Sequence, residues 1–309
     1  MKVIFLGTPA FAAASLNKII SSRHEVVGVV TQPDRANSRR GNKIIFSPVK
    51  VLAEEKGIPV FQYENISKEG EEELRALNAD IMVTAAYGQI LRQNILDICK
   101  YGIINVHASL LPKYRGSSPV QWAIINGDKQ IGVTIMKTEL GVDTGDMILS
   151  DFIEPDGTEN SEEMLDKLSV LGGDLIVKAL DLIEDGKAIF KPQNESEATH
   201  CRMLKKEDGL INFDKNAYEV TNFIRGMNPW PSAYIDTVFG TIKVIKAAVT
   251  NASGRSGEVL SASPKSGLII ACKTGAVELV RIKPDNGKEM DAKAFLAGHK
   301  IEVGSVIGE

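Results

Sequence analysis

The chain has 309 residues, of which 43% are hydrophobic, 25% are charged and 6% are aromatic. This composition is typical of a globular protein with a sizeable core, and the length favours two domains over one. With 36 basic and 40 acidic residues the formal net charge is −4, which disfavours a protein that coats nucleic acid non-specifically. The three cysteines are widely spaced, and no segment is long and apolar enough for a signal peptide or a membrane span. We therefore expect a soluble, cytoplasmic protein.

The first part of the sequence alternates short apolar strands with helices. Strands are predicted at 3–6, 25–31, 58–61, 80–85, 102–106, 132–137 and 147–153. Helices are predicted at 10–21, 47–56, 69–77, 93–99 and 160–184. Strand and helix alternating at this spacing predict an α/β fold with a doubly wound, mostly parallel, Rossmann-like sheet.

The last third of the sequence has a different pattern. One helix is predicted at 217–226, followed by short strands at 232–235, 241–247, 257–260, 267–272 and 276–282. Short strands separated by Gly and Ser-Gly turns predict a small β-barrel of the oligonucleotide-binding type. The segment 187–205 has no convincing period and is interpreted as a surface linker. The expected domains are thus 1–186, catalytic, and 206–309, the barrel.

The turn after the first strand bears on nucleotide binding. Gly7-Thr8-Pro9 lacks the second and third glycines of a dinucleotide-binding turn, and Pro9 removes one amide that would hold a phosphate. A plain tight turn is therefore the better interpretation, and an NAD-linked oxidoreductase is disfavoured.

Two polar residues stand out on the strand predicted near residue 105. Asn105 and His107 are two positions apart, so their side chains lie on one face, near the carboxyl end where open α/β sheets bind ligands. An amide can hold a developing oxyanion while an imidazole moves the proton, as acyl chemistry requires. A single histidine in this setting is more often a buried core residue.

Further elements follow His107 in a fixed order. Ser109-Leu110-Leu111-Pro112 comes directly after it, and Leu140-Gly141-Val142-Asp143-Thr144-Gly145 lies between two predicted strands. The sequence resembles the formyltetrahydrofolate-dependent formyltransferases, whose shared signature is an Asn-x-His strand, a Ser-Leu-Leu-Pro loop and an Asp in a Gly-x-Asp-Thr-Gly turn. Without this resemblance, Asp143 would be read as a turn-former.

The resemblance implies a role for each matched residue. Asn105 would polarise the formyl oxygen, His107 would move the proton between the two nitrogens, and Asp143 would orient and balance the imidazole. The co-substrate would be 10-formyltetrahydrofolate, and no metal is implied. The folate-binding residues would be Ser109, Leu110, Leu111, Pro112, Ala86, Tyr87, Gly88 and Ile90.

Within this family, the full length of the chain resembles the members that act on initiator methionyl-tRNA. Residues 31–35 and 47–50 resemble the two ends of their basic insertion loop, and 228–231 resembles part of their C-terminal domain. The expected tRNA-binding residues are Arg35, Arg39, Arg40, Lys43 and Lys206. The resemblance implies that Arg39 or Arg40 makes the decisive contact. The choice between them stays open, because the loop centre is one residue longer than the usual Pro-Ala-Gly-Arg-Gly of the family.

Other functions share parts of this pattern. A formyltransferase acting on a small amine and a hydrolase releasing formate would keep Asn105, His107 and Asp143. The small-amine formyltransferase would not need the basic insertion loop or the β-rich C-terminal domain. A non-catalytic RNA-binding module would leave Asn105, His107 and Asp143 without a role. The tRNA-dependent transferase accounts for all of them. We also expect a monomer, because no extended apolar stripe suggests an interface.

Overall fold

A computed structural model describes residues 1–37 and 43–307 of the chain. Contacts divide it into two compact units, each of which is treated by itself. Unit 1 comprises Met1–Gly116, Gln130–Ile153 and Leu165–His200; unit 2 comprises Ser117–Lys129, Glu154–Met164 and the chain from Cys201 onward. The units interleave along the sequence, so they do not coincide with the limits at 186 and 206, which stay a prediction.

The elements up to residue 184 form the following series. The strands are β1 Lys2–Gly7, β2 Glu25–Thr31, β3 Arg35–Asn37, β4 Lys43–Ile45, β5 Val60–Gln62, β6 Ile81–Ala85, β7 Ile103–His107, β8 Arg115–Gly116, β9 Ile131–Lys137 and β10 Met147–Ile153. The helices are α1 Ala10–Ile20, α2 Pro48–Glu55, α3 Ile66–Glu69, α4 Glu71–Ala76, α5 Gln93–Leu96, α6 Pro119–Ile125 and α7 Ser161–Glu184.

Unit 1 is built on a seven-stranded sheet in the order β10-β9-β7-β6-β1-β2-β5. The pairs among β1, β2, β5, β6 and β7 are parallel, whereas β9 runs antiparallel to both β7 and β10. The predicted mostly parallel sheet is therefore confirmed. Its inner strand β1 is almost entirely buried, as expected for a parallel strand covered on both faces.

Local sequence explains where the helices begin and end. Ser47 caps α2 by accepting a hydrogen bond from the backbone N–H of Lys50, and Pro48 takes the first helical position, where its missing N–H costs nothing. The helix predicted at 69–77 corresponds to α4, which begins two residues later and ends one residue earlier. The short helix α3 just before it was not predicted; the two helices are separated at Gly70, a residue that disfavours a continuous helix.

The remaining elements belong to the C-terminal part of the chain. The strands are β11 His200–Cys201, β12 Ala233–Thr237, β13 Gly240–Thr250, β14 Val259–Ser263, β15 Gly267–Ala271, β16 Ala276–Pro284 and β17 Met290–Asp291. The helices are α8 Ala217–Met227 and α9 Ala292–Leu296. Asn216 and Glu219 form a capping box that starts α8.

Unit 2 contains an antiparallel sheet in the order β12-β13-β16-β15-β14, with β17 pairing to β16. The sheet has two ends, β12 and β14, so it is barrel-like but not closed. Its core includes Val220 and Ile224 from α8, packed with Val244 and Ile282 from the sheet. Burying each of these side chains contributes on the order of 1.5–3 kcal/mol.

Candidate active site

Asn105 and His107 lie on β7, which extends one residue further than the sequence predicts. His107 is the last residue of the strand, and its side chain is buried, whereas Asn105 is half-buried. The two side chains share one face of the strand at the carboxyl end, where ligands bind to sheets of this kind.

The neighbouring strand fixes the orientation of the Asn105 amide. Thr84 on β6 pairs with Asn105 on β7, and its hydroxyl donates a hydrogen bond of 2.8 Å to Asn105 Oδ1. The amide oxygen is thereby engaged. Within the described chain the Nδ2 group has no protein acceptor, so it can donate to a bound molecule.

A backbone carbonyl determines which nitrogen of His107 can exchange a proton. His107 Nε2–H donates to the carbonyl oxygen of Tyr114 at 3.0 Å. Because a carbonyl can only accept, Nε2 keeps its hydrogen and Nδ1 is the basic nitrogen. The carboxylate Oδ2 of Asp143 lies 3.6 Å from Nδ1, which is too far for a hydrogen bond and close enough for charge interaction.

Asp143 is held in the loop between β9 and β10. Its Oδ2 accepts a hydrogen bond of 2.8 Å from the backbone N–H of Gly116. The φ angle of Asp143 is 53°, in the left-handed region that costs energy for residues other than glycine. Surrounding contacts must therefore keep the carboxylate in this position.

The Ser-Leu-Leu-Pro segment is fastened to β9. The hydroxyl of Thr134 donates to the carbonyl of Ser109 at 2.7 Å, and the same hydroxyl oxygen accepts from Leu111 N–H at 3.1 Å. Ser109 Oγ donates to the carbonyl of Lys113 at 2.7 Å. Ser109 and Leu111 are buried, while Leu110 and Pro112 are half-buried. The segment forms a fixed turn, and its contact with folate stays a prediction.

The other predicted folate segment combines scaffold and exposed residues. Tyr87 packs its ring in a hydrophobic cluster, and burial raises the pKa of its hydroxyl. Its carbonyl accepts a hydrogen bond of 3.0 Å from Gln32 Nε2. Ala86, Gly88 and Ile90 are exposed, the last at 80%. Tyr87 thus holds the turn, its neighbours are open to solvent, and the contact of this segment with folate stays a prediction.

The expected tRNA-binding residues are distributed unevenly over the described chain. Arg35 is exposed on β3, which pairs antiparallel with β4, and Lys206 is exposed in a short 3-10 turn. The backbone of Lys43 belongs to β4. Arg39 and Arg40 lie outside the described residues.

Lys50, the last residue of the segment that resembles one end of the basic insertion loop, has a structural partner. Its ammonium bonds Asp34 and lies 3.1 Å from Gln62 Oε1. Burial acts to raise the pKa of Asp34, but hydrogen bonds from Lys50 and Gln62 outweigh it and the pKa is lowered. Lys50 therefore secures the base of the loop, and its charge is already balanced.

Comparison with known proteins agrees with this geometry. The formyl transferase family model matches residues 1–180, and the formyl transferase C-terminal domain model matches residues 203–300. Methionyl-tRNA formyltransferase of Geotalea daltonii is 43% identical, over 100% of this chain and 98% of that protein. The enzyme of the same name from Agathobacter rectalis is 46% identical over 99% of both chains. This chain belongs to the methionyl-tRNA formyltransferase family. As a member it is an enzyme of the formyltransferase class, whose formyl donor is formyltetrahydrofolate.

Solved structures share the fold at lower identity. The N-formyltransferase of Helicobacter canadensis, in a complex with folinic acid and dTDP-3-aminofucose, has a TM-score of 0.71 and 20% identity, covering 90% of this chain and 99% of its own. HypX of Aquifex aeolicus has a TM-score of 0.62 and 16% identity, covering 98% of this chain and 49% of its own. At these identities the likeness establishes the fold alone.

Three residues that support the formyltransferase site escaped the sequence analysis. Thr84 is recognisable only once its strand is known to pair with that of Asn105. Arg115 is buried, and its side chain bonds Gln193, whose own side chain reaches the Asp143 loop. The sequence offered a signal only for Arg115, which follows the family's Ser-Leu-Leu-Pro segment.

A second cluster of ionisable groups lies elsewhere in unit 1. His24, Asp181 and Glu184 bring potential metal-ligand atoms within 4.8 Å of one another. Arg23 forms ion pairs with both carboxylates and the N-terminal ammonium pairs with Glu184, so two protein cations balance the two negative charges.

No helix in 1–37 or 43–307 combines the length and apolarity that crossing a bilayer requires.

Gly145 is predicted to be indispensable for the shape of the Asp143 loop. A Cβ atom at this position would lie 2.0 Å from the carbonyl oxygen of Lys137, a backbone atom that cannot move aside. We expect Gly145→Ala to lower the free energy of unfolding by roughly 3 kcal/mol or more, measured by urea denaturation. Gly298→Ala is the control, since no atom lies within 4 Å of its added Cβ. Equal midpoints for the two variants would refute the prediction.

Proposed function

We propose that the protein transfers the formyl group of 10-formyltetrahydrofolate to the amino group of methionine on initiator methionyl-tRNA, for translation initiation. The observation that carries this proposal is the match over both domains to methionyl-tRNA formyltransferases at more than two-fifths identity, such as the 43% found for the Geotalea daltonii protein. The grouping of Asn105, His107 and Asp143 at one edge of the sheet supports it, because together they supply the polar groups that formyl transfer needs.

Asn105 stabilises the charge that develops on the formyl oxygen. When the amine attacks the formyl carbon, a nitrogen–carbon bond forms and the carbonyl oxygen becomes an oxyanion. Thr84 holds the amide of Asn105 by its oxygen, so that Nδ2–H is directed to donate to this oxyanion. A donor fixed in advance costs no reorganisation during the reaction.

His107 moves the proton that formyl transfer displaces. The attacking nitrogen must lose one proton, and the folate nitrogen must gain one as its bond to the formyl carbon breaks. Nδ1 accepts the first proton and delivers the second, because Nε2 is occupied by the Tyr114 carbonyl. The imidazolium between these steps lies beside the Asp143 carboxylate, at 3.6 Å, which stabilises its positive charge.

A row of cations on the sheet of unit 2 supports tRNA as the acceptor. Lys243 on β13 lies directly opposite Lys283 on β16, and Lys246 lies opposite Arg281. Like charges in facing positions destabilise a sheet. Arg281 is balanced by Glu289 at 3.0 Å, whereas Lys243 and Lys283 have no ion-pair partner in the described chain. Phosphates of a nucleic acid supply the missing counter-charge.

The lysine pair leads to a prediction about substrate binding. Replacing Lys243 and Lys283 together with alanine should raise the KM for tRNA roughly tenfold and lower the slope of log KM against log salt by about 1 for each phosphate that is no longer neutralised. The KM for the folate should stay the same. The free energy of unfolding should not fall, because the substitutions remove a pair of like charges that repel each other. Lys265→Ala, at an exposed turn of the same sheet, is the control. An equal rise in the KM for tRNA in Lys265→Ala would contradict a specific role of Lys243 and Lys283 in tRNA binding.

The proposed function is tested directly by formylation of a defined acceptor. The purified protein is incubated with 10-formyltetrahydrofolate and either initiator or elongator methionyl-tRNA, and formyl-methionine and formate are both quantified. We expect formyl-methionine on the initiator tRNA at a rate far above that on the elongator. Release of formate without transfer, or transfer only to a small amine such as an amino sugar, would overturn the proposal.

Two further expectations accompany this function. We propose a cytoplasmic location, which the three free cysteines Cys99, Cys201 and Cys272 support, since a reducing compartment preserves thiols. We also propose that the protein acts as a monomer, which light scattering of the purified chain would test.

A further inference from the structure

Gln193 holds both sides of the loop that carries Asp143. Its Nε2 group donates two hydrogen bonds, each of 2.8 Å, to the carbonyl oxygens of Asp143 and Gly145. These two carbonyls enclose the turn in which Asp143 takes its left-handed backbone conformation. One carboxamide therefore uses both of its N–H donors to stabilise the least favourable part of the loop.

Arg115 in turn fixes Gln193. The Nε–H of Arg115 donates to Gln193 Oε1 at 2.9 Å, which leaves the Nε2 end of the carboxamide for the loop. The other guanidinium nitrogens of Arg115 bind the two oxygens of Glu195 at 3.0 and 2.7 Å. The guanidinium is almost fully buried, and its hydrogen bond holds the pKa of Glu195 below the ordinary value. A bidentate pair of this kind has a defined geometry.

The same segment of chain also reaches His107. The hydroxyl of Thr199 accepts a hydrogen bond of 2.9 Å from the N–H of Tyr114, whose carbonyl receives Nε2–H of His107. The carbonyl of Thr199 accepts from the N–H of Arg115 at 2.9 Å. Residues 193–199 thus support the imidazole from one side and the carboxylate from the other.

We propose that Gln193 is a positioning residue for formyl transfer, holding Asp143 where its carboxylate faces Nδ1 of His107. The inference rests on the proposed function through the role given there to Asp143. The two charged groups are 3.6 Å apart, so a small displacement of the loop changes their interaction appreciably. Misplacement of a catalytic group by about 1 Å can cost as much as a hundredfold in rate.

A double-mutant cycle tests whether Gln193 acts through Asp143. The variants are Gln193→Met, which keeps the side-chain length and removes both donors, Asp143→Asn, and the two combined. Single-turnover formylation of initiator methionyl-tRNA is measured at saturating folate. Gln193→Met should lower the rate about tenfold, with the KM values for folate and tRNA within about twofold of the unmodified protein. In the Asp143→Asn background the same substitution should have no further effect.

Asn94→Ala is the matched control. The amide of Asn94 also donates two hydrogen bonds, to the carbonyl of Ser67 at 3.0 Å and to Glu71 at 2.8 Å, and it joins two surface segments of the same unit. Its loss should lower the urea midpoint and leave the formylation rate unchanged.

The outcomes separate the inference from the proposed function. A slow Asp143→Asn variant together with an unimpaired Gln193→Met variant overturns the inference and leaves the proposed function standing. An equal loss from Gln193→Met in both backgrounds also overturns it, since the effect would not pass through Asp143. An Asp143→Asn variant with the original rate removes the catalytic role of Asp143, and the inference falls with it.

Discussion

The His107→Ala variant is expected to lose about 10²- to 10⁴-fold in kcat, the range typical of removing a general acid–base group. The loss follows from the structure because Nδ1 of His107 is the group that faces Asp143, while Nε2 is held by a backbone carbonyl. Without the imidazole, water must carry the proton between the attacking amine and the departing folate. The KM values for both substrates should change little, since the imidazole transfers the proton and does not bind the folate or the tRNA.

The measurement is a steady-state formylation assay with initiator methionyl-tRNA, followed by addition of free imidazole. Because the side chain is buried, its removal leaves a cavity lined by the Tyr114 carbonyl and the Asp143 carboxylate. Imidazole entering this cavity should restore part of the rate of His107→Ala. His200→Ala, at an exposed histidine of unit 1, is the control. A kcat for His107→Ala equal to that of the control would exclude the proton-transfer role.

Much of the catalytic edge could be predicted because its residues follow simple periodicities. The alternation of strand and helix predicted the parallel sheet, and the two-residue spacing placed Asn105 and His107 on one face of a strand. The loop carrying Asp143 required the family signature in addition, since Asp in a Gly-rich turn has local reasons to occur. These predictions needed no knowledge of which strands are neighbours.

The contacts that orient the site depend on long-range pairing and could not be predicted. Thr84 meets Asn105 only because β6 and β7 are adjacent in register. The segment 187–205, interpreted as a surface linker, contains Gln193 and pairs through β11 with β8. It shows no hydrophobic period because hydrogen bonds, rather than a buried apolar face, hold it in place. Periodicity detects burial, so such a segment goes unnoticed.

The Asn105→Ala variant is expected to lose about 10²- to 10³-fold in kcat, the cost typical of removing one oxyanion donor. Thr84→Val should have a smaller effect, roughly tenfold, since it removes the hydroxyl that orients the amide but leaves the donor in place. The hydrogen bond between Thr84 and Asn105 Oδ1 is 2.8 Å long, and valine preserves the shape of threonine. The order of the two losses distinguishes the donor from the residue that positions it.

Asn105→Asp gives the sharper test of the donor role. Aspartate has the same shape, and its carboxylate can still accept from Thr84, but it has no N–H group and carries a negative charge beside the developing oxyanion. Its kcat should therefore fall below that of Asn105→Ala, although it keeps more of the original packing. If instead the site needed Asn105 only to fill space, Asp would be the milder replacement. A kcat for Asn105→Asp above that of Asn105→Ala would therefore reject the oxyanion role and leave His107 and Asp143 to account for the catalysis.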